Sequence, residues 1–194
     1  MQHLKNTIEQ LQKTFLDYKT ETLIFRPFVK PDSFALFNAT KNPEFSAKLL
    51  WNINTHEELM VECQKLIREH DLKQSVVMSV CEKETGKWAG LVKFSIYKDS
   101  ITMSLWSHPD YWKSRAPIRC AESAIEIAFA NSNLSHLYAL IIQDNLTMQK
   151  MVLLNNFELI GDTTAPHNKG HLVPLNVYKL DRSAWVRKTK VASY

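Results

Sequence analysis

Lys113, Arg115 and Arg119 place three cations within seven residues, and no carboxylate intervenes before Glu122. They lie in HPDYWKSRAPIRCAESA, His108 to Ala124, which passes from the end of an apolar strand through a basic turn into a helix. A helix entered this way aims its first unbonded amides at whatever occupies the turn, and its dipole favours negative charge there. The chemistry suggested is anion binding. Pro117 is comfortable in the first turn of a helix, so the helix start survives it, although proline has no N–H to offer.

The elements that must hold this turn are legible in the hydrophobic spacing. Ile118, Ala121, Ala124, Ile125, Ala128 and Phe129 recur with a helical period after Pro117. Before it the period is two: SVVMSVCEK, WAGLVKFSIY and ITMSLWSH, parted by turns at 84–87 and 98–100, predict a three-stranded meander. HLYALIIQ reads as a buried central strand, Asn145 opens a helix reaching Asn155, and FELIG with HLVPLNVYKL supplies a last strand pair. Upstream, TLIFRPF predicts a strand stopped at Pro27, PDSFALFNATKN a helix, and Thr55 with Glu58 the capping box of another. Leu4, Ile8, Leu11 and Phe15 make residues 3–19 an amphipathic helix. Its stripe must pack on the parent domain, on a second copy in a homodimer, or on another partner. The layout is α+β around one mixed sheet. It divides into a helix at 1–19, a main domain at 20–181 and a basic tail at 182–194.

Composition narrows the function classes. A chain of 194 residues, 45% of them hydrophobic, can bury one sizeable core. Its net charge of +4 is mild and its basic residues are scattered, apart from the turn and the tail residues Arg187, Lys188 and Lys190, so nucleic acid is not an expected partner. Cys63, Cys81 and Cys120 are odd in number and widely spaced, which fits neither a disulfide framework nor a zinc pattern. Reduced thiols in a cytoplasmic protein, with no metal, are expected. No apolar run has the length of a signal peptide or a membrane span.

At the basic turn the sequence resembles the GNAT superfamily of acyl-CoA-dependent N-acetyltransferases, in its ribosomal-protein N-terminal acetyltransferase-like (RimJ/RimL-like) branch. TETLIFRPF with PDSFALF resembles the branch's opening strand and helix, KETGKWAGLVKF its hairpin and LWSHPDYW the end of its fourth strand. AIEIAF, IIQDN, NNFELIG and NKGHLVPLNVYKL follow in the family's order, and the likeness covers residues 20 to 180. It implies a mixed sheet of about seven strands flanked by helices, here with an extra N-terminal helix. It also implies acetyl-CoA in a splay between the fourth and fifth strands. The pantetheine arm would then pair with the backbone of Leu105, Trp106 and Ser107 and reach Asn145. The diphosphate would meet Lys113, Ser114, Arg115, Ala116, Ile118 and Arg119.

The family's pyrophosphate turn carries a glycine where this chain has Arg115 and a small residue where it has Pro117. A side chain at the first disfavours positive φ, and the second removes an amide donor. A cation about 4 Å from a phosphate is worth roughly 4 kcal/mol at an effective dielectric of 20, against about 1–3 kcal/mol for one lost amide bond. Guanidinium and ammonium groups can therefore replace the glycine cradle.

Two catalytic positions of the branch also differ. Its acid on the fourth strand falls at Thr102, and its serine facing the leaving thiolate falls at Met148. Neither substitute is an acid or base near neutral pH. Ser104 and Ser107 on the fourth strand, Thr147 and Tyr178 are the polar groups left to serve, and His167 and His171 flank a loop from which a proton could be relayed. His108 belongs to the HPDYW turn and reads as structural.

The resemblance thus implies an acetyl-CoA-dependent N-acetyltransferase. Its acceptor would be a small-molecule or peptide amine, such as a protein N-terminus, a polyamine or an amino sugar. Loss of four usual positions leaves open a catalytically degenerate protein of the same fold that binds CoA or a protein or peptide partner. Acceptor walls are expected from residues 29–55 and 162–171.

Overall fold

A computed structural model describes residues 2–16, 18–51 and 53–191, with side chains as far as Val186. The strands are β1 (Leu23–Pro27), β2 (Ser75–Glu82), β3 (Trp88–Tyr97), β4 (Ser100–Ser107), β5 (His136–Ile142), β6 (Glu158–Pro166) and β7 (Leu172–Asp181). The helices are α1 (Gln2–Phe15), α2 (Asp32–Thr40), α3 (Pro43–Ser46), α4 (His56–Asp71), α5 (Ala116–Ala130), α6 (Leu146–Leu154) and α7 (Arg182–Val191). One seven-stranded mixed sheet runs in the order β1-β2-β3-β4-β5-β7-β6. The meander is antiparallel throughout, and β4 against β5 is the sheet's parallel pair.

Strand alternation divides the side chains between two cores. Val76, Met78, Val92, Phe94, Ile101, Met103 and Leu105 point into a cluster with α1, α5 and α6. Val77, Cys81, Leu91 and Trp106 point to the other face and join α2, α3 and α4. The stripe of α1, Leu4, Ile8, Leu11 and Phe15, is at most 2% exposed and lies in the first cluster. Of the three occupants open to it, the parent domain is the one observed.

The second layer is pinned by an ion pair whose carboxylate is buried and whose guanidinium is partly exposed. Both guanidinium nitrogens of Arg26 lie 2.7 Å from the Asp32 carboxylate, which also accepts from Ser79 Oγ (2.6 Å) and the Val29 amide (3.0 Å). Burial, the largest single influence on Asp32, pushes its carboxyl up, yet these donors together hold it below the usual range. Its oxygens are fully committed, so Asp32 is a structural group.

Expected boundaries shift at two ends. The N-terminal helix closes at Phe15 rather than at 19, and the segment read as a tail begins as α7. Arg182, the first residue of α7, donates to the carbonyls of Phe129 (2.6 Å), Ser132 (2.6 Å) and Leu134 (2.7 Å), closing the C-terminal end of α5. The basic side chains of Arg187, Lys188 and Lys190 and the end of the tail at 192–194 lie outside the described residues.

Candidate active site

Strands β4 and β5 pair only at Ile101 with Leu137 and Thr102 with Tyr138. Beyond Thr102 they part, while β4 stays paired with β3 as far as Ser107. The side of β4 that faces β5 is therefore an open backbone edge from Met103 onward, able to accept an extended chain by strand addition. Of these three residues, Leu105 and Ser107 turn their backbone to this edge, whereas Trp106, paired with Leu91 and with its carbonyl against Gly90, turns its own to β3. The carbonyl of Ser107 already accepts from the Trp112 indole N–H (3.0 Å), which leaves Leu105 the best placed of the three.

The mouth of this splay is the basic turn. His108 caps a short 3-10 turn, its Nδ1 accepting the amide of Asp110 (3.2 Å) and its ring edge-on to Trp88, the structural role expected of it. Burial pushes its imidazole pKa down, which keeps that nitrogen an acceptor. Ser114 folds the turn back: its hydroxyl donates to the Tyr111 carbonyl (2.8 Å) and accepts from the Ala116 amide (3.2 Å). The Ala116 amide is thus engaged inside the chain, and Pro117 has none.

Arg115 stands at φ −83 and ψ −2, in the right-handed region. The left-handed backbone that would have penalised a side chain here is not adopted, so the arginine is unstrained and the turn is simply not a glycine-type cradle. Lys113, Arg115 and Arg119 are exposed, and none pairs with a carboxylate among the described residues. Three unneutralised cations beside the start of α5 form an electropositive mouth, and none of them lines the small cavity beneath α5.

Asn145 caps α6, with its Oδ1 accepting from the Met148 amide (3.2 Å). Its side-chain nitrogen has no partner among the described residues and is the part left to meet a ligand. Met148 is half-buried against the first core. Ser104 is half-buried on the Trp106 face of β4, whereas Tyr178 is 2% exposed beneath α6. Thr147 is exposed on the first turn of α6. The structure therefore does not bring Ser104, Thr147 and Tyr178 to one point.

Sequence reading missed Gln149. Its Oε1 accepts from Tyr178 Oη (3.1 Å) and Asn176 Nδ2 (3.4 Å), and its Nε2 donates to the Gln143 carbonyl (2.6 Å). It also missed Glu69, whose Oε2 lies 2.6 Å from Lys93 Nζ, opposite Ser104 in the register. No spacing rule could have found either. Their side-chain partners Lys93, Asn176 and Tyr178 stand 24 to 29 residues away in the chain.

The segments expected to wall the acceptor side do meet. Lys48 donates to the Asp144 carbonyl (2.9 Å) and the Asn168 amide to the Leu50 carbonyl (3.3 Å), so the chain between α3 and α4 reaches both the end of β5 and the β6–β7 loop. Trp51 stands edge-on to Trp106, with 6.2 Å between centroids. His167 and His171 stack at 4.4 Å, and His167 Nδ1 accepts the Lys169 amide (3.2 Å), so this pair shapes the loop.

Solved structures with the same fold include spermidine N-acetyltransferase from Vibrio cholerae, crystallised with CoA and spermine. It is 14% identical with TM-score 0.69, over 86% of this chain and 99% of that one. The ribosomal-protein alanine acetyltransferase of Vibrio fischeri is 16% identical with TM-score 0.67, over 87% and 97%. A Salmonella typhimurium acetyltransferase that modifies the N-terminal serine of a 50S ribosomal subunit protein is 17% identical with TM-score 0.68, over 84% and 96%. No curated protein matches the sequence. The acetyltransferase (GNAT) domain profile matches residues 22–158, most of the chain and every element that forms the splay and its mouth, and the chain belongs to that acetyltransferase family.

Proposed function

We propose that this chain transfers the acetyl group of acetyl-CoA directly to a primary amine. The observation that carries the reading is the parting of β4 from β5 beyond Thr102, with three unpaired cations and the start of α5 at its mouth. The ligand supplies an activated thioester. The chain supplies the free backbone edge of Leu105 and Ser107 for an amide-bearing arm, and Lys113, Arg115 and Arg119 for phosphate oxygens. Holding thioester and amine together contributes the largest share of the rate, since neither Thr102 nor Met148 is an acid or base. The acceptor enters past Trp51 and Trp106 on the open face of β4. A protein N-terminus and a polyamine are the acceptor classes that the neighbours' activities support. Unpaired, buried Cys63, Cys81 and Cys120 suit a reducing, cytoplasmic setting.

Calorimetric titration with acetyl-CoA, followed by free-thiol release in the presence of spermidine or of peptides beginning with Ser or Ala, tests this. Saturable binding with amine-dependent thiol release is expected. Binding without turnover would establish a catalytically degenerate CoA-binding protein, and no binding at millimolar acetyl-CoA would remove the enzyme reading and leave the fold to a protein or peptide partner.

A further inference from the structure

At the end of the β4–β5 pair opposite the splay, a serine, a histidine and an aspartate stand in line. Ser135 and His136 lead into β5, and Asp99 lies on the turn between β3 and β4. Ser135 Oγ is 2.8 Å from His136 Nδ1, and His136 Nε2 is 3.5 Å from Asp99 Oδ1. His136 is 8% exposed, and its Nε2 has no hydrogen-bond partner among the described residues. An enclosed ring nitrogen without a partner is destabilising and calls for an explanation. Nucleophile within hydrogen-bond reach of a base, with a third group facing the base, is the pattern of an activated serine, and such bonds run long before a substrate is bound.

The serine is accessible where the histidine is not. Ser135 is exposed, and with Asp99 it lines a cleft of about 300 Å³ between the start of α1 and the two loops. Leu4 and Leu134 give this cleft an apolar wall, and Gln10 and Asn133 bring side-chain amides with no partner among the described residues. The ring of His136 is held edge-on to Tyr138, with 4.9 Å between centroids, and Ser100 Oγ donates to the His136 carbonyl (2.6 Å). The Asp99 carboxyl is held below its ordinary range by its own backbone amide and by the Tyr138 hydroxyl (3.1 Å), so it is charged at neutral pH. The other charged groups nearby are committed elsewhere or stand at the cleft wall. Asp181, opposite His136 on β7, pairs with Lys179 (2.9 Å), Lys98 lies over the Tyr97 ring, the Arg182 guanidinium is spent on carbonyls, and His3 lines the cleft from α1.

We propose that Ser135 is a second nucleophile, with His136 its general base and Asp99 a positioning residue, acting on a small carboxylic ester held in the cleft. A carboxylate facing Nε2 favours the tautomer protonated there, which leaves Nδ1 to take the serine proton. Ser135 Oγ bonds to the ester carbonyl carbon as its proton passes to Nδ1. Nδ1 returns that proton to the leaving oxygen as the ester C–O bond breaks, and an alcohol departs. Water, deprotonated in the same way, then cleaves the acyl-serine to a carboxylic acid and restores the hydroxyl. The Asn133 amide is the donor at hand for the oxyanion of each step. The site lies at the far end of β4 and β5 from the thioester corridor and does not depend on it.

The test treats the full chain with a fluorophosphonate probe, maps the adduct by mass spectrometry, and follows p-nitrophenol release from p-nitrophenyl acetate. Wild type, Ser135→Ala, His136→Gln and Asp99→Asn are compared. One phosphonate adduct on Ser135 is expected, with ester turnover abolished in Ser135→Ala and slowed about a hundredfold or more in His136→Gln, the lower end of the range for a positioned base. Because His136 is buried, the decision rests on Ser135→Ala, which changes an exposed side chain and should fold as the wild type does. Asp99→Asn keeps an acceptor for Tyr138 but removes the charge that steadies the imidazolium, so the acid limb of its rate–pH profile should move to lower pH, a shift that a merely structural role would not produce. An unlabelled Ser135, a Ser135→Ala protein that cleaves the ester at the wild-type rate, or an Asp99→Asn profile that keeps its position overturns the proposal. Thiol release from acetyl-CoA in the presence of amine should be the same in Ser135→Ala as in the wild type, and its loss there would make Ser135 a structural residue and overturn the proposal too.

Discussion

Gly90 offers a test of the splay that needs no knowledge of the acceptor. A Cβ built there would approach the Trp106 carbonyl oxygen closer than real Cβ atoms come, and would meet the Ser107 Cα at 3.1 Å. Both are backbone atoms of β4, and they cannot swing aside as the end of a side chain could. They are also held from the other direction, by the Trp112 indole on the Ser107 carbonyl and by the Trp51–Trp106 contact. The Gly90→Ala variant must therefore push the end of β4 away from β3, at about 1–3 kcal/mol for overpacking, offset by at most about 1 kcal/mol from a less flexible unfolded chain. In a chain of this size 1 kcal/mol moves the melting temperature by about 2–4 °C. Calorimetry should thus show Gly90→Ala melting below the wild type, by up to about 12 °C, and titration should show weaker acetyl-CoA binding because the displaced residues are those the pantetheine arm is proposed to follow. A variant that melts at or above the wild type would refute the claim that β4 is held rigidly at this point.

Three further outcomes follow from other parts of the molecule. Arg115→Ala should weaken acetyl-CoA binding severalfold at low ionic strength and less at high, since an exposed cation acts through screened charge; an affinity change independent of salt would contradict that account. Asp32→Ala should cost about 2–4 kcal/mol in denaturant unfolding, somewhat under the range for fully buried pairs because Arg26 is 38% exposed. Because the Asp32 carboxyl is depressed, its contribution is complete above the ordinary aspartate range and disappears as the pH falls through the folded value, so the gap between wild type and variant should close in acid. Leu11→Ala should cost about 2–5 kcal/mol, as for any fully buried leucine; a loss under 1 kcal/mol would mean that α1 packs far more loosely than its 0% exposure implies.

Period and punctuation alone were enough for the order of the seven strands and of α1, α2, α4, α5 and α6, and for the faces that pack, but not for the short α3 or for α7. The change from helical to alternating spacing at β2, the capping pair Thr55 and Glu58 at the start of α4, and the return of helical spacing after Pro117 all depend on neighbours within a turn or a strand, which a sequence displays directly. The stripe of α1 was legible for the same reason. Its destination was not, because the occupant comes from β3 and α5, far along the chain.

The site divides along the same line. The cations at 113, 115 and 119 and the cap at Asn145 could be named in advance, because a turn and a helix start are local objects. The backbone of Arg115 could not, since its φ follows from how Ser114 folds the turn back on Tyr111. Glu69 of α4 beside Lys93 of β3, and Gln149 of α6 holding Tyr178 of β7, exist only because helices pack onto strands that are distant in the chain. Such partners carry no fixed spacing in sequence, so chemistry that spans elements becomes visible only in the tertiary fold.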